Sequence, residues 1–306
     1  MISTPMKILI NRQVVNGPWG GGNKFVKAFY EIGTSRGHKI TNTFEDNIDL
    51  IFLQDPRPSA KVGIGINEAI HYRKFCKNTK LVQRINECDA RKNTDFMDAL
   101  LLSCSEWLDY TVFVSNWMQN YHLTKGWKCK NYSAIYNGVD LDIFQKREKI
   151  NNGKINIVTH HWSDNFMKGF DFYNEIDKFV GENENFTFTY IGREIGTFKN
   201  TKVVPPIFGE ELGKELGKYD LYISASRFDP GPNHILESLA CKIPTYVHAE
   251  GGGCIEFAGE DMVFKDIEEL LSIITSKKYK QNKMQPTDWE SCLNQYFDLF
   301  EKDLTK

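Results

Sequence analysis

Short apolar runs alternating with helix-period segments constrain this chain more than any other feature. The first half carries "KILINRQ" (7–13), "IDLIFLQD" (48–55), "KLVQRIN" (80–86), "YTVFVS" (110–115) and "YSAIYNGV" (132–139). The second half carries "KINIVTHHW" (154–162), "FTFTYIGR" (186–193), "TKVVPPI" (201–207), "DLYISAS" (220–226) and "IPTYVHAE" (243–250). Several are nearly continuous in branched and aromatic residues, the pattern of strands buried on both faces of a parallel sheet. Between them lie helical patterns over 23–37, 95–108, 170–180, 210–219 and 234–242. This alternation predicts α/β architecture. The polar stretch "QKREKINNGK" (145–154) separates the two sets of strands, and 306 residues suffice for two domains. We therefore expect one α/β domain over 1–148, a second over 149–285, and a single closing helix over 286–306.

Composition excludes several classes. A formal charge of −2 gives the molecule no overall attraction for nucleic acid. The seven cysteines (Cys76, Cys88, Cys104, Cys129, Cys241, Cys254, Cys292) form no CxxC pair, which points to buried thiols in a reducing cytoplasm. The N-terminal apolar piece "KILI" is too short to read as a signal peptide, and no apolar run approaches the length of a membrane span.

The segment "DPGPNHILESLACKIP" (229–244) is the most informative local stretch. Gly231 sits between two prolines directly before a helical pattern. Pro232 suits the first helical position, where its missing N–H costs nothing. The amides of Asn233 and His234 then open the helix without internal partners, and with the helix dipole they form a phosphate site. Asp229 is placed to accept hydrogen bonds from sugar hydroxyls, and Glu237 to chelate a vicinal diol such as a ribose. The plain alternative is a capped helix flanked by two solvated acids. Three further motifs accompany it. "GPWGGGNKFVKAFYEIGTSRGHKI" (17–40) puts Gly20 to Gly22 at a strand-to-helix turn, where the backbone can approach a ligand closely. The strict GxGxxG pattern is absent, which argues against a dinucleotide cofactor. "YNGVDLDIF" (136–144) is a tight Asn-Gly turn. "HAEGGGCIE" (248–256) puts glycines and Glu256 at the end of a strand, the edge at which open α/β sheets bind ligands. His160 and His161 end the first strand of the second half, as a ligand contact or as a packing pair. His71 and His122 lack partners at metal spacing and read as structural.

Together these motifs resemble those of the retaining GT-B glycosyltransferases of the family-4 type. The pattern of an acid, seven residues, Glu, then a strand and a Gly-Gly…Glu turn is matched by Asp229, Glu237, "TYVHAE" and Gly252-Gly253…Glu256. "NGVD", "RGH", "VFVSNW" (112–117) and "KGFDFY" (168–173) match further elements in the same order, so the resemblance covers nearly the whole chain. It implies a GT-B fold of two Rossmann-like domains facing across a cleft, with an acceptor domain first, a donor domain second and a C-terminal helix crossing back. It also implies transfer of a hexose-type unit from a nucleoside diphosphate sugar to a glycan or lipid-linked acceptor, with no metal or other cofactor. In that scheme Asp229 touches the transferred sugar and Glu237 the ribose. The amides at Asn233 and His234 hold the diphosphate, with Lys168 as its cation, and Gly231 belongs to the same donor site. Gly21 or Gly22 approaches the phosphates from the other domain.

The chain departs from the family pattern at named positions. Asp229 stands where Glu is commoner, and Pro232 removes one amide. Trp162 and Ser163 occupy the positions of an expected Arg, whose charge Arg193 is the candidate to supply; His161, at the end of its strand, is a further site candidate. Asn86, Glu87 or Asp89 of "NECDAR" stands where the family has a His, so Asn86 and Glu87 are candidates too. The departures keep a second reading open, a catalytically weak sugar-nucleotide-binding protein or partner subunit. An epimerase on the same fold matches the spacing of the two acids less well. The basic stretch "HYRKFCKNTK" (71–80) reads first as a solvated helix face and is also the candidate for peripheral contact with the inner face of a membrane.

Overall fold

The computed structural model describes residues 5–15 and 21–304. Gly20 of the glycine run lies outside these residues, as does the start of that motif over 17–19.

The chain divides into two compact units. The first comprises Met1–Asp89, Asn93–Gly138 and Trp289–Lys306, the second Ala90–Lys92 and Val139–Asp288. The first holds six strands, β1 (Lys7–Ile10), β2 (Lys39–Thr41), β3 (Leu50–Leu53), β4 (Lys80–Ile85), β5 (Tyr110–Phe113) and β6 (Tyr132–Ala134). They are all parallel, in the order β2-β1-β3-β4-β5-β6. The second holds β7 (Ile155–His161), β8 (Phe186–Gly192), β9 (Lys202–Val204), β10 (Leu221–Ser224), β11 (Thr245–His248) and β12 (Val263–Phe264). These too are all parallel, in the order β12-β11-β10-β7-β8-β9. Both are the Rossmann-like sheets that the sequence pattern predicts. β2 and β12 were not foreseen, because neither carries a distinct apolar run: Lys39–Thr41 has one isoleucine between polar residues, and Val263–Phe264 is two residues long.

Strand order fixes where a ligand site can be. In each sheet the chain builds to one side of its first strand and then crosses to build on the other. This leaves a switch point between β1 and β3 in the first unit and between β7 and β10 in the second. The crevice beyond the carboxyl ends of the strands at such a point is where open α/β sheets take ligands.

The closing helix, Trp289–Asp303, returns to the first unit and packs on the helix Gly21–Ser35. Its Cys292, Leu293, Tyr296, Phe297 and Phe300 are buried with Phe25, Phe29 and Phe52 in one cluster. Arg36 closes the rim with hydrogen bonds to Asn294, Asp298 and Glu301. The expected boundary at 148–149 moves to Gly138–Val139. The cause is main-chain pairing of the polar segment with the second unit. Val139 donates to the Thr287 carbonyl at 2.9 Å, Arg147 to Gly217 at 3.1 Å and Ile150 to Lys218 at 3.2 Å. A Cβ on Gly213 would lie 2.4 Å from the Ile143 carbonyl oxygen, so a side chain there would push the segment away.

Candidate functional site

A group of buried titratable side chains lies at the β7/β10 switch point of the second unit. Lys168 follows β7 and Asp229 follows β10. Lys168 Nζ lies 2.6 Å from Asp229 Oδ2 across the crevice, although 61 positions separate them in sequence. Both side chains are largely buried, at 14% and 5% exposure.

Local structure explains how each is held. Asn165 caps a single 3-10 turn, Phe166–Lys168, by accepting from the Met167 amide at 2.8 Å. Gly169 follows at φ 91°, and a Cβ there would meet the Ala225 carbonyl oxygen at 2.3 Å. Only glycine therefore lets the Lys168 turn lie against the end of β10. On the other side, Phe228 adopts φ 51°, a left-handed conformation that costs a bulky residue on the order of 1–3 kcal/mol. It turns the chain so that Asp229 points inward. The backbone of Asp229 is then gripped by the glycine turn after β11. Its amide donates to the Gly251 carbonyl at 3.2 Å, and its carbonyl accepts from the Gly253 amide at 2.8 Å. A Cβ on Gly252 would sit 3.0 Å from both Asp229 N and O. The glycines of "HAEGGGCIE" thus hold the Asp229 loop itself, a role that their position at a strand end did not reveal.

Pro232 is the N-cap of the helix Asn233–Ala240, one position before the helical place expected of it, and its carbonyl accepts from Ile235 at 3.1 Å. It has no amide to donate in either position, so the one-residue shift changes little. His234 and Glu237 rise from this helix and are buried, as is Asp229. The alternative of two solvated acids does not hold. His234 Nε2 lies 2.8 Å from Ser224 Oγ, and Glu237 Oε2 lies 2.8 Å from His160 Nε2. His161 turns to the other face of β7, with Nε2 2.6 Å from the Tyr173 hydroxyl and its ring centroid 4.9 Å from that of His234.

Electrostatics divides this cluster into one charged pair and two neutral imidazoles. Burial alone would raise the Asp229 carboxyl. The Lys168 ammonium outweighs it, with a smaller contribution from Arg91, and holds Asp229 well below the usual carboxylate range. Burial, reinforced by the Lys168 charge, pushes His234 down to about 3. Burial and the neighbouring His234 push His161 well below its ordinary value. Both imidazoles are therefore neutral at pH 7. His161 Nδ1 is buried without a hydrogen-bond partner. One ligand atom each from Asp229, His234 and Cys254 fall within 4.8 Å of one another, a spacing open to a metal ion. The Lys168 ammonium on the same carboxylate opposes a cation there, and burial holds the Cys254 thiol in its protonated form.

The remaining expected residues are distributed as follows. Gly231 lies in the loop between Asp229 and the helix. Arg193 lies beyond β8, its guanidinium carbon 4.4 Å from the centroid of the Trp162 ring. Gly192 permits this at φ 136°, where a Cβ would strike the His161 carbonyl oxygen. Gly21 and Gly22 open the helix Gly21–Ser35 of the first unit, with open space where a Gly22 side chain would begin. Asn86 and Glu87 follow β4 in the first unit. Sequence reasoning missed Tyr173, Tyr222 and Ser224, buried polar residues that orient the three histidines. Their one visible signal was polar atoms inside otherwise apolar runs.

No family model and no curated protein matches this sequence. Solved structures do. A sucrose-phosphate synthase from Thermosynechococcus elongatus superposes with a TM-score of 0.70 at 11% identity, covering 97% of this chain and 98% of that one. Anabaena HepE, solved in complex with UDP and glucose, gives 0.64 at 14% identity, covering 98% and 96%. WaaG, a glycosyltransferase involved in lipopolysaccharide biosynthesis, gives 0.60 at 12% identity, covering 89% and 90%. Similarity over whole chains, with two parallel six-stranded sheets in this order, gives this protein the GT-B glycosyltransferase fold.

Proposed function

We propose that this protein transfers a sugar from a nucleoside diphosphate sugar to a hydroxyl of a glycan or lipid-linked acceptor, with retention of anomeric configuration. The observation that carries the reading is the buried Lys168–Asp229 pair at the switch point of the second sheet. In the reaction the bond from the anomeric carbon to the diphosphate breaks, a bond to the acceptor oxygen forms, and the acceptor hydroxyl gives its proton to the departing diphosphate. Negative charge grows on the departing diphosphate, and a fixed ammonium in a water-poor crevice stabilises it more than the ground state. Asp229, kept ionised, accepts hydrogen bonds from hydroxyls of the transferred sugar. Glu237, on the helix whose start faces the same crevice, takes the ribose diol. Lys168 supplies the positive charge that a metal would otherwise bring, and the reading therefore includes metal-independent transfer. HepE was solved with UDP-glucose, which makes a uridine donor the first to try.

The test is calorimetric titration with UDP, GDP and ADP in the presence of EDTA, followed by turnover of the matching sugar nucleotide with candidate acceptors. One of the three should bind, and Lys168→Met should abolish turnover. Anomeric proton couplings of the product by NMR should match those of the donor. Absence of binding by all three overturns the reading, and binding without acceptor-dependent or hydrolytic turnover leaves a binding protein instead.

A further inference from the structure

We propose that His160 is a positioning residue that aims the Glu237 carboxylate at the ribose diol of the bound nucleotide, an inference that rests on the function proposed above. Glu237 is 5% exposed, and a carboxylate so far from water requires a hydrogen-bond donor. His160, at the end of β7, provides one at 2.8 Å from a position 77 residues away. Its ring is braced from β10. The Tyr222 hydroxyl oxygen accepts the His160 backbone N–H at 3.2 Å and lies 3.1 Å from His160 Nδ1. The same hydroxyl donates to the His160 carbonyl oxygen at 3.4 Å. Tyr222 is fully buried and keeps its proton. A carboxylate oxygen only accepts, so His160 Nε2 carries the proton directed at Glu237.

The hydrogen bond from His160 fixes which way the Glu237 carboxylate faces, so the ribose hydroxyls meet it in one orientation. The Tyr222–His160–Glu237 chain ties three elements of the second unit, β10, β7 and the helix Asn233–Ala240, to the orientation of one carboxylate.

The test compares ribonucleotides with their 2′-deoxy counterparts. The full chain and its variants are titrated with UDP, GDP, ADP and the matching deoxynucleoside diphosphates. His160→Phe should weaken the preferred ribonucleotide about tenfold, the worth of a hydrogen bond to a charged group. It should leave the deoxynucleotide unchanged, so that discrimination between the two collapses. His160→Gln places an amide N–H near the position of Nε2 and should keep most of the discrimination, whereas the shorter His160→Asn should lose it. Combining His160→Phe with Glu237→Gln should cost no more than either alone. Equal weakening of ribo- and deoxynucleotide by His160→Phe and His160→Asn would reduce His160 to a structural residue. So would unchanged discrimination in both. If Glu237→Gln removes discrimination and these variants do not, this inference fails while the proposed function stands. A wild-type chain that binds no nucleoside diphosphate overturns both.

Discussion

The two sheets invite comparison, because each is an all-parallel, six-stranded sheet with one switch point, and the two switch points are differently furnished. At β7/β10 the crevice is spanned by an ion pair, Lys168 with Asp229, surrounded by neutral histidines. At β1/β3 it is spanned by an amide. Asn11 accepts from the Gln54 amide at 2.7 Å and donates to the carbonyls of Asp55 at 2.7 Å and Ile64 at 3.0 Å. The first arrangement keeps charge in a low-dielectric place, where it is costly to hold and strong when used. The second stitches backbone to backbone, and the ion pair beside it, Arg12 with Asp55 at 3.1 Å, is more open to water, at 28% and 20% exposure. Arg84, a buried cation in that region, leans on the Phe25 ring at 4.3 Å and donates to Asn137 at 2.7 Å. A fold of this kind decides where a site is; the side chains at the strand ends decide what it does.

Three measurements sharpen or break that contrast. The largest effect is expected from Lys168→Met, which strands the buried Asp229 carboxylate. Stability in urea should fall by about 3–5 kcal/mol, as for other broken buried pairs. A loss below about 1 kcal/mol, the range of exposed pairs, would mean that the pair is solvated in solution. The first unit provides the counterpart. Asn11→Leu orphans one amide and two carbonyls and should cost about 2–3 kcal/mol of stability. Affinity for nucleoside diphosphate in the folded protein should not change, and a tenfold loss would show that the two edges are not functionally separate.

The third measurement is the pH dependence of unfolding. His234 takes a proton near 6.5 when unfolded and only near about 3 when folded. Between those values the unfolded chain binds more protons, so stability falls as the pH falls. Each such histidine contributes a slope of up to about 1.4 kcal/mol per pH unit. His161 acts in the same direction. Asp229 behaves differently: its stabilisation is present above its ordinary 3.8 and is lost only as the pH drops below that value. The pair His161→Phe and His234→Phe should therefore flatten the profile between pH 6.5 and 4. An unchanged slope would place the titrating groups elsewhere, with His122 of the first unit the next candidate.

Much of this molecule is legible in its sequence because much of it is local. Periods of hydrophobicity give ten of the twelve strands of the described residues and the closing helix, since burial on one or two faces acts residue by residue. Residue chemistry singles out Asp229, Glu237 and the helix start between them, because a proline-flanked turn before a helical pattern is a local signal. The glycines at 251–253 are visible as unusual, although their partner is the Asp229 backbone. The linker was misplaced by ten residues because its polar composition says nothing about the carbonyls it pairs with.

What tertiary structure alone decided is which strand ends meet. Strand order brings Lys168 to Asp229 and His160 to both Glu237 and Tyr222, contacts that span 61, 77 and 62 positions. No period within a segment encodes those distances. They follow from the side of β7 on which β10 is laid down, a choice settled by the packing of whole helices on whole sheets. The sequence supplied an acid, a base and a cation as separate residues, and the crossing at the switch point made them neighbours in a place dry enough for their charges to matter.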